Sequence, residues 1–259
     1  MAVTAALDLR TLRRPSWLHA YSTMTRWDLA ALRLQLPLIV VVQILAGVGF
    51  VLGIGLFFDR IPALVALYVS TGVVVLNLTL VGLIVGPQMT ADEKLAGTYE
   101  YLRALPVPAT AAAMAWFSVT LIASVPAAVV SLVVAELRYG ISFTITPSIV
   151  PAVLLTAFTG TMLGYALSHA IADPMRTRLI AQMLVFFVFG FSPILYPASQ
   201  QPPWMATISW WLPFEHMATI VRAGLTTGIV SGIGSSYLIV AMWGIIGTAL
   251  SARAMGRRA

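Results

Sequence analysis

Six long apolar runs constrain this chain more than any other feature. They cover about Leu36–Phe58, Ala63–Val85, Ala109–Val134, Ile149–Ile171, Leu179–Leu195 and Ser236–Ala252. A bilayer core about 30 Å thick takes about 20 helical residues to cross, and every backbone polar group in hydrocarbon must be satisfied within the structure. Each run is therefore predicted to be a spanning helix, the fifth being short. Charged residues make up 9% of the chain, against about 25% in a soluble domain, too few to cover a globule in water. A soluble enzyme, a disordered chain and a nucleic-acid binder are excluded. The net charge of +6 is spread through an apolar chain and reads as membrane orientation rather than phosphate binding. With no Cys, thiolate metal sites and cysteine nucleophiles are ruled out.

The first 33 residues do not read as a signal peptide, because Arg10, Arg13 and Arg14 are followed by a second polar stretch before any long apolar run. Residues Ser16 to Arg33 predict an amphipathic helix starting near Pro15 and Ser16. Trp17, Leu18, Ala20, Tyr21, Met24, Trp27, Ala31 and Leu32 share one half of the helical wheel. His19, Ser22, Thr23, Arg26 and Arg33 share the other, with Asp28 an exception on the apolar side. Such a helix can lie in the membrane interface, Trp17, Tyr21 and Met24 inward and Arg26 outward. The alternative is a cytoplasmic helix packed on protein. Before the last span, Ser192 to Ser235 contains Pro193, Pro197, Pro202, Pro203 and Pro213 with Trp204, Trp210 and Trp211 between them. That density of Pro forbids one straight helix, and clustered Trp favours the bilayer interface. A broken, re-entrant segment over 192–235 is the reading.

With a cytoplasmic N-terminus, twelve Arg and Lys fall inside and only Arg60, Arg138 and Arg222 outside. This is a strong positive-inside bias, and six spans return the Arg-rich C-terminus to the same side. The nine Asp and Glu lie outside the central parts of the runs, which argues against an ion-coupled carrier. Gln43, Asn77 and Gln182 read as interhelical hydrogen bonders. Gly49/Gly53, Gly82/Gly86 and Gly160/Gly164 have the spacing that permits close helix approach. HExxH, GxSxG and phosphate-loop signatures are absent, and Lys94, the lone lysine, follows no glycine-rich loop. His19, His169 and His216 lack ligand spacing, and Glu215-His216 reads as a polar turn at the outer surface.

The inner loop 87–108 is the only substantial charged segment between spans. Asp92, Glu93, Lys94, Glu100 and Arg103 give it mixed signs. Gly97 is predicted to separate two short helical pieces, Thr98 to cap the second, and Pro106 and Pro108 to close it. A helix hairpin needs only a few connecting residues, so some twenty argue for a docking surface.

The run Glu93…Gly97-Thr98-Tyr99-Glu100-Tyr101-Leu102-Arg103…Leu105-Pro106-Val107 resembles the E-x3-G-T-x-E-x-L-x3-P-V signature of ABC-2 type permeases, the membrane subunits of type-2 ABC exporters. A second match joins Ser192-Pro193-Ile194-Leu195-Tyr196-Pro197, Pro203-Trp204, Leu212-Pro213-Phe214 and Arg222. It is similar to the run before the last span of that family, although Pro-Phe-Glu-His at 213–216 stands where many relatives carry Asn-Pro. The resemblance implies an all-α polytopic fold: a tail and interfacial helix over 1–35, then a transmembrane domain over 36–259. It implies that Glu93, Gly97, Thr98, Glu100 and Arg103 couple to an ATPase. Pro193, Tyr196, Pro197, Trp204, Pro213 and Arg222 would form an outer gate. Two ATPase subunits, holding ATP and Mg, would dock beneath a pair of permeases, identical or homologous, in a multi-pass cell-membrane complex. No nucleic acid is expected. Drug or antibiotic efflux is the implied activity, and the aromatic apolar spans, including Phe186, Phe187, Phe189 and Phe191, suit a hydrophobic or amphipathic compound. Fourteen Arg against one Lys suit a GC-rich bacterial source. The competing reading is a stand-alone carrier or channel. A membrane enzyme is disfavoured because no catalytic constellation is found.

Overall fold

The computed structural model describes residues 15–57 and 61–256, and among these all regular structure is helical. Helix α1 (Trp17–Ala31) precedes α2 (Leu36–Leu56) and α3 (Ala63–Leu80). A π-helical turn, Val81–Val85, carries α3 without a break into α4 (Gly86–Ala96). After Gly97 come α5 (Thr98–Ala104), α6 (Ala109–Tyr139), α7 (Ile149–Ala170) and α8 (Pro174–Phe191). Two short helices, α9 (Pro203–Trp211) and α10 (Pro213–Leu225), lead to α11 (Ile233–Gly256). Six helical stretches are long and apolar enough to cross a bilayer, so the chain is a multi-pass membrane protein.

Several helices outlast their hydropathy, while the fifth span stops at Phe191, short of the end of its apolar run at Leu195. The second span continues to Ala96, 34 residues in all, so the first half of the charged loop 87–108 is a helical extension of that span. The third runs to Tyr139 past Glu136 and Arg138, with Pro126 inside it. At 1.5 Å per residue it is roughly 46 Å long, well beyond the hydrocarbon core. The fifth begins at Pro174, because Asp173 accepts the Arg176 amide at 2.7 Å as N-cap and Pro174 suits the first helical position. Ser16 likewise caps α1, accepting the His19 amide at 3.4 Å. The orientation count draws in part on Arg10, Arg13, Arg14, Arg60, Arg257 and Arg258, which lie outside the described residues.

Helix α3 with its extension is the hub, the most buried of the six spans. Where it meets α7, backbones touch. A Cβ added to Gly164 would lie 2.0 Å from the Gly82 carbonyl oxygen, and one on Gly82 would lie 2.5 Å from the Thr161 Cα. Gly160 faces Thr79 across the same seam. Gly49 and Gly53 instead meet nothing within 4 Å, so their predicted packing role has no partner among the described residues. Asn77 Nδ2 donates to Ser131 Oγ at 3.0 Å in the buried α3–α6 contact, as expected of it. Gln43 and Gln182 make no hydrogen bond among the described residues. Thr120 and Thr161 hydroxyls pair at 2.8 Å between α6 and α7, and Thr159 Oγ1 donates to the Val240 carbonyl at 3.1 Å.

The proline-rich stretch folds as a helical hairpin broken at Leu212. Trp243 Nε1, midway along α11, donates to the Trp211 carbonyl at 3.1 Å, so the tip reaches well into the bundle. Helix α10 returns to the level where α7 begins. There the Thr144 and Thr146 amides donate to the Leu225 and Gly224 carbonyls, each at 2.9 Å. Nearly all of α10 is buried, with Phe214, Met217, Ile220 and Val221 in the main core.

If the α3–α7 seam organises the bundle, Gly164→Ala overpacks it by about 2–3 kcal/mol, lowering the thermal midpoint by roughly 5–10 °C. Gly49→Ala should leave the midpoint near wild type. Scanning fluorimetry of the purified protein checks both, and equal midpoints would contradict the seam.

Candidate functional site

The C-terminal end of the α3–α4 helix carries the charged segment singled out from sequence. Helix α4 ends at Gly97, whose φ of +75° lies in the left-handed region that other residues adopt only with strain. Thr98 does not cap α5. It is the first residue of α5, and its hydroxyl turns back to donate to the Glu93 carbonyl at 3.3 Å, closing the end of α4 instead. Lys94 fixes this turn to the bundle. Its ammonium donates to the carbonyls of Ser168 and Ile171, each at 2.6 Å, satisfying the end of α7. The same ammonium lies 4.9 Å from the centroid of the buried Tyr99 ring, with the Arg103 guanidinium 5.7 Å away. Tyr99 in turn rests on His169 at 5.7 Å. An Arg178–Asp92 ion pair ties α4 to α8. Glu100 projects to solvent, 74% exposed, with Arg103 at 3.7 Å.

Helix α1 packs along the inner part of α6. Trp17 Nε1 donates to Thr110 Oγ1 at 3.0 Å, Tyr21 and Ser118 hydroxyls pair at 2.8 Å, and the Trp17 and Tyr21 rings stack at 5.6 Å. Leu18 and Trp27 stay exposed and Arg26 faces out. Between α1, α4, α5 and the start of α6 lies a cavity of about 630 Å³ lined by Met24, Asp28, Glu93, Tyr99 and Trp116, among others. Burial, reinforced by the nearby Glu93 carboxylate, pushes the Asp28 carboxyl up to about 7.

At the opposite end, Arg222 is 3% exposed and is held without a carboxylate. Its Nη2 donates to the Ile194 carbonyl at 2.8 Å and its Nε to Thr71 Oγ1 at 3.1 Å. The guanidinium sits 3.9 Å from the centroid of the Tyr68 ring. It thereby joins α10, the turn after α8, and α3. Gly72 makes room for this turn, since a Cβ there would lie 2.5 Å from the Ile194 oxygen.

The family model of the ABC-2 type transporter matches residues 19–226, which takes in α1, the inner segment and the α9–α10 hairpin. The chain belongs to this family. No curated protein matches it.

The residues predicted for this ABC-2 permease form two groups. Glu93, Gly97, Thr98, Glu100 and Arg103 come together at the α4–α5 turn. In the outer group, Pro193 is buried and Tyr196 bonds to Gln201 Nε2 at 3.2 Å. Trp204 packs edge-on against Phe191 at 6.2 Å, and Pro213 opens α10. Pro197 leads into the short 3-10 turn at Ala198–Gln200. Arg222 is the one that joins helices.

The sequence reading gave no role to Tyr68 or Thr71, and it named Lys94 and Tyr99 without finding what they hold. A single lysine beside the Gly97 turn was a signal, but only the fold shows the carbonyls at the end of α7 that it meets. The outer-surface polar turn expected at Glu215-His216 is corrected. His216 is 5% exposed, its Nε2 donating to the Trp210 carbonyl at 2.8 Å and its Nδ1 paired with Ser236 Oγ at 3.1 Å. Glu215 accepts the Ser209 hydroxyl at 2.8 Å. Helix-breaking prolines put these groups at a hairpin tip, whose backbone must be satisfied inside the bundle.

Arg222→Met should strand the Ile194 and Thr71 oxygens and cost about 2–4 kcal/mol, with Arg222→Lys in between because one ammonium cannot reproduce the fork. Thermal midpoints in that order check the lock; an Arg222→Met midpoint equal to wild type would contradict it. A carboxyl raised from 3.8 to about 7 binds its proton more tightly folded than unfolded. Its stabilising contribution is complete below pH 3.8 and is lost as the pH rises through about 7. Asp28→Asn should therefore gain on wild type in thermal midpoint between pH 5 and pH 8, and parallel profiles would refute that.

Proposed function

We propose that this permease is the transmembrane half of an ATP-driven exporter, carrying a hydrophobic or amphipathic compound out of the cell. One observation carries the reading. The 34-residue helix Ala63–Ala96 is bonded to Arg222 near its outer end, through Thr71, and ends inside at Gly97, against the solvent-facing α5. A force applied to α5 therefore has a continuous helical path to the α9–α10 hairpin. The chain carries no phosphate loop, so that force must come from another subunit.

In this reading two ATPase subunits, with their ATP and Mg, grip the α4–α5 turn. The residues that meet them directly are the exposed ones: Glu100 at 74% exposure and Tyr101 at 64%. Arg103, Gly97 and Thr98 act by holding the turn's shape. Helix α1 lies at the inner interface, its exposed Leu18 and Trp27 toward lipid. The hairpin is re-entrant from the outer leaflet, with Pro193, Tyr196, Pro197, Trp204, Pro213 and Arg222 forming the outer gate. Both termini face the cytoplasm, as the distribution of Arg favours. The exposed Gly49/Gly53 stripe and apolar face of α2 suit a second permease, identical or homologous.

Purifying the chain from native membranes should co-isolate an ATPase and yield ATP-dependent transport in proteoliposomes. Glu100→Lys should lower co-isolation and the coupled ATPase rate by about tenfold, the loss of one charged contact, while membrane insertion stays intact. Transport by the permease alone would sink the proposal.

A further inference from the structure

The cavity between α1, α4, α5 and α6 has a chemistry that the coupling role does not use. Its volume, about 630 Å³, is that of a drug-sized ligand site. Its walls are apolar and aromatic, with Met24, Trp27, Tyr99 and Trp116. Two carboxyl groups, Asp28 from α1 and Glu93 from α4, line the same space, and the Glu93 charge acts on Asp28. Neither takes part in an ion pair or side-chain hydrogen bond among the described residues. Of the nearby cations, Arg103 pairs with Glu100 and the Tyr99 ring, while Lys94 donates to the carbonyls at the end of α7 and its charge also acts on Glu93.

His169, also in the lining, is 7% exposed and is held by its own helix, its Nδ1 facing the Tyr165 carbonyl at 2.8 Å and the Ser168 hydroxyl at 3.0 Å. Trp116 Nε1 is buried without a hydrogen-bond partner. Gly86 leaves the space the indole occupies, since a Cβ there would lie 2.8 Å from that nitrogen. Two carboxyl groups and aromatic faces in one drug-sized space match a cation with N–H donors and an apolar body.

We propose that this cavity is a binding site for an amphipathic organic cation, an aromatic body bearing a protonated amine. The aromatic body sits against Trp27, Tyr99 and Trp116, and the ammonium is shared by Asp28 and Glu93. A bound cation relieves the repulsion between the two carboxylates and bridges α1 to the α4–α5 turn. The site belongs to the permease chain alone. Its test needs no ATPase, so its failure leaves the transport reading standing, and the reverse also holds.

The experiment is a fluorescence-anisotropy titration of quinacrine, an aromatic amine, against the purified full chain in phosphatidylcholine nanodiscs, with empty nanodiscs subtracted. Saturable binding is expected, weakened at least tenfold by Asp28→Asn and by Glu93→Gln. Ala112→Phe, which fills the cavity and keeps both charges, should weaken it similarly and guards against a charge variant that fails to fold. Glu136→Gln, an exposed carboxylate at the far end of α6, should bind as wild type. The anionic fluorophore 1-anilinonaphthalene-8-sulfonate should not compete. Non-saturable binding, equal affinity in Asp28→Asn, Glu93→Gln and Ala112→Phe, or displacement by the anion would overturn the proposal.

Discussion

The structure depends on the contact of two backbones. Gly82 and Gly164 let the central helix and α7 approach until the carbonyl of one occupies the space a side chain would take on the other. In lipid there is no hydrophobic drive between helices, so close packing of this kind supplies association. The seam also has a geometric consequence. It lies in the π-helical turn, where α3 passes into α4, and it holds that turn against a fixed neighbour. The chain thus continues past the apolar span as a helix packed on α7 and α8 rather than as a loop.

Satisfaction of polar groups explains the rest of the design. The hairpin tip, the end of α7 and the turn after α8 each expose backbone carbonyls where the helix stops. Each is met by a side chain from another element: Trp243 and His216 at the tip, Lys94 at α7, Arg222 at Ile194. The same bonds that remove a desolvation cost also tie these elements together. Arg222 shows the principle without a counter-ion, since carbonyl, hydroxyl and ring face share its charge.

Much of the fold was legible in sequence because hydrocarbon imposes one length and one composition on a spanning helix. The six spans, the break at the prolines and the helix after Ser16 follow from that. The ends were not legible. Glu136 and Arg138 in α6, and Asp92 to Lys94 in α4, interrupt hydropathy without interrupting hydrogen bonding, so the helices continue past the apolar runs. The position of Gly97 was readable from its residue type, but the use of Thr98 was not, since a hydroxyl at that register can close either helix. The carboxylate pair Asp28 and Glu93 lies 65 residues apart in the chain. Only the packing of α1 beside α4 brings them together. Asp28, alone among the apolar residues of its face, was the one visible sign.

These features describe a permease whose α4–α5 turn and α9–α10 hairpin are joined by one continuous helix. Absence of native cysteine makes single labels on it clean probes. The most direct measurement is double electron–electron resonance on the ATPase-bound permease, with and without ATP. One label pair spans the rod, at Leu64 and Leu95, and another spans the hairpin and α11, at Gln200 and Leu238. The rod distance is predicted to stay fixed while the hairpin distance shifts. A changed rod distance, meaning a hinge at the π-helical turn, or a hairpin indifferent to ATP would contradict the account.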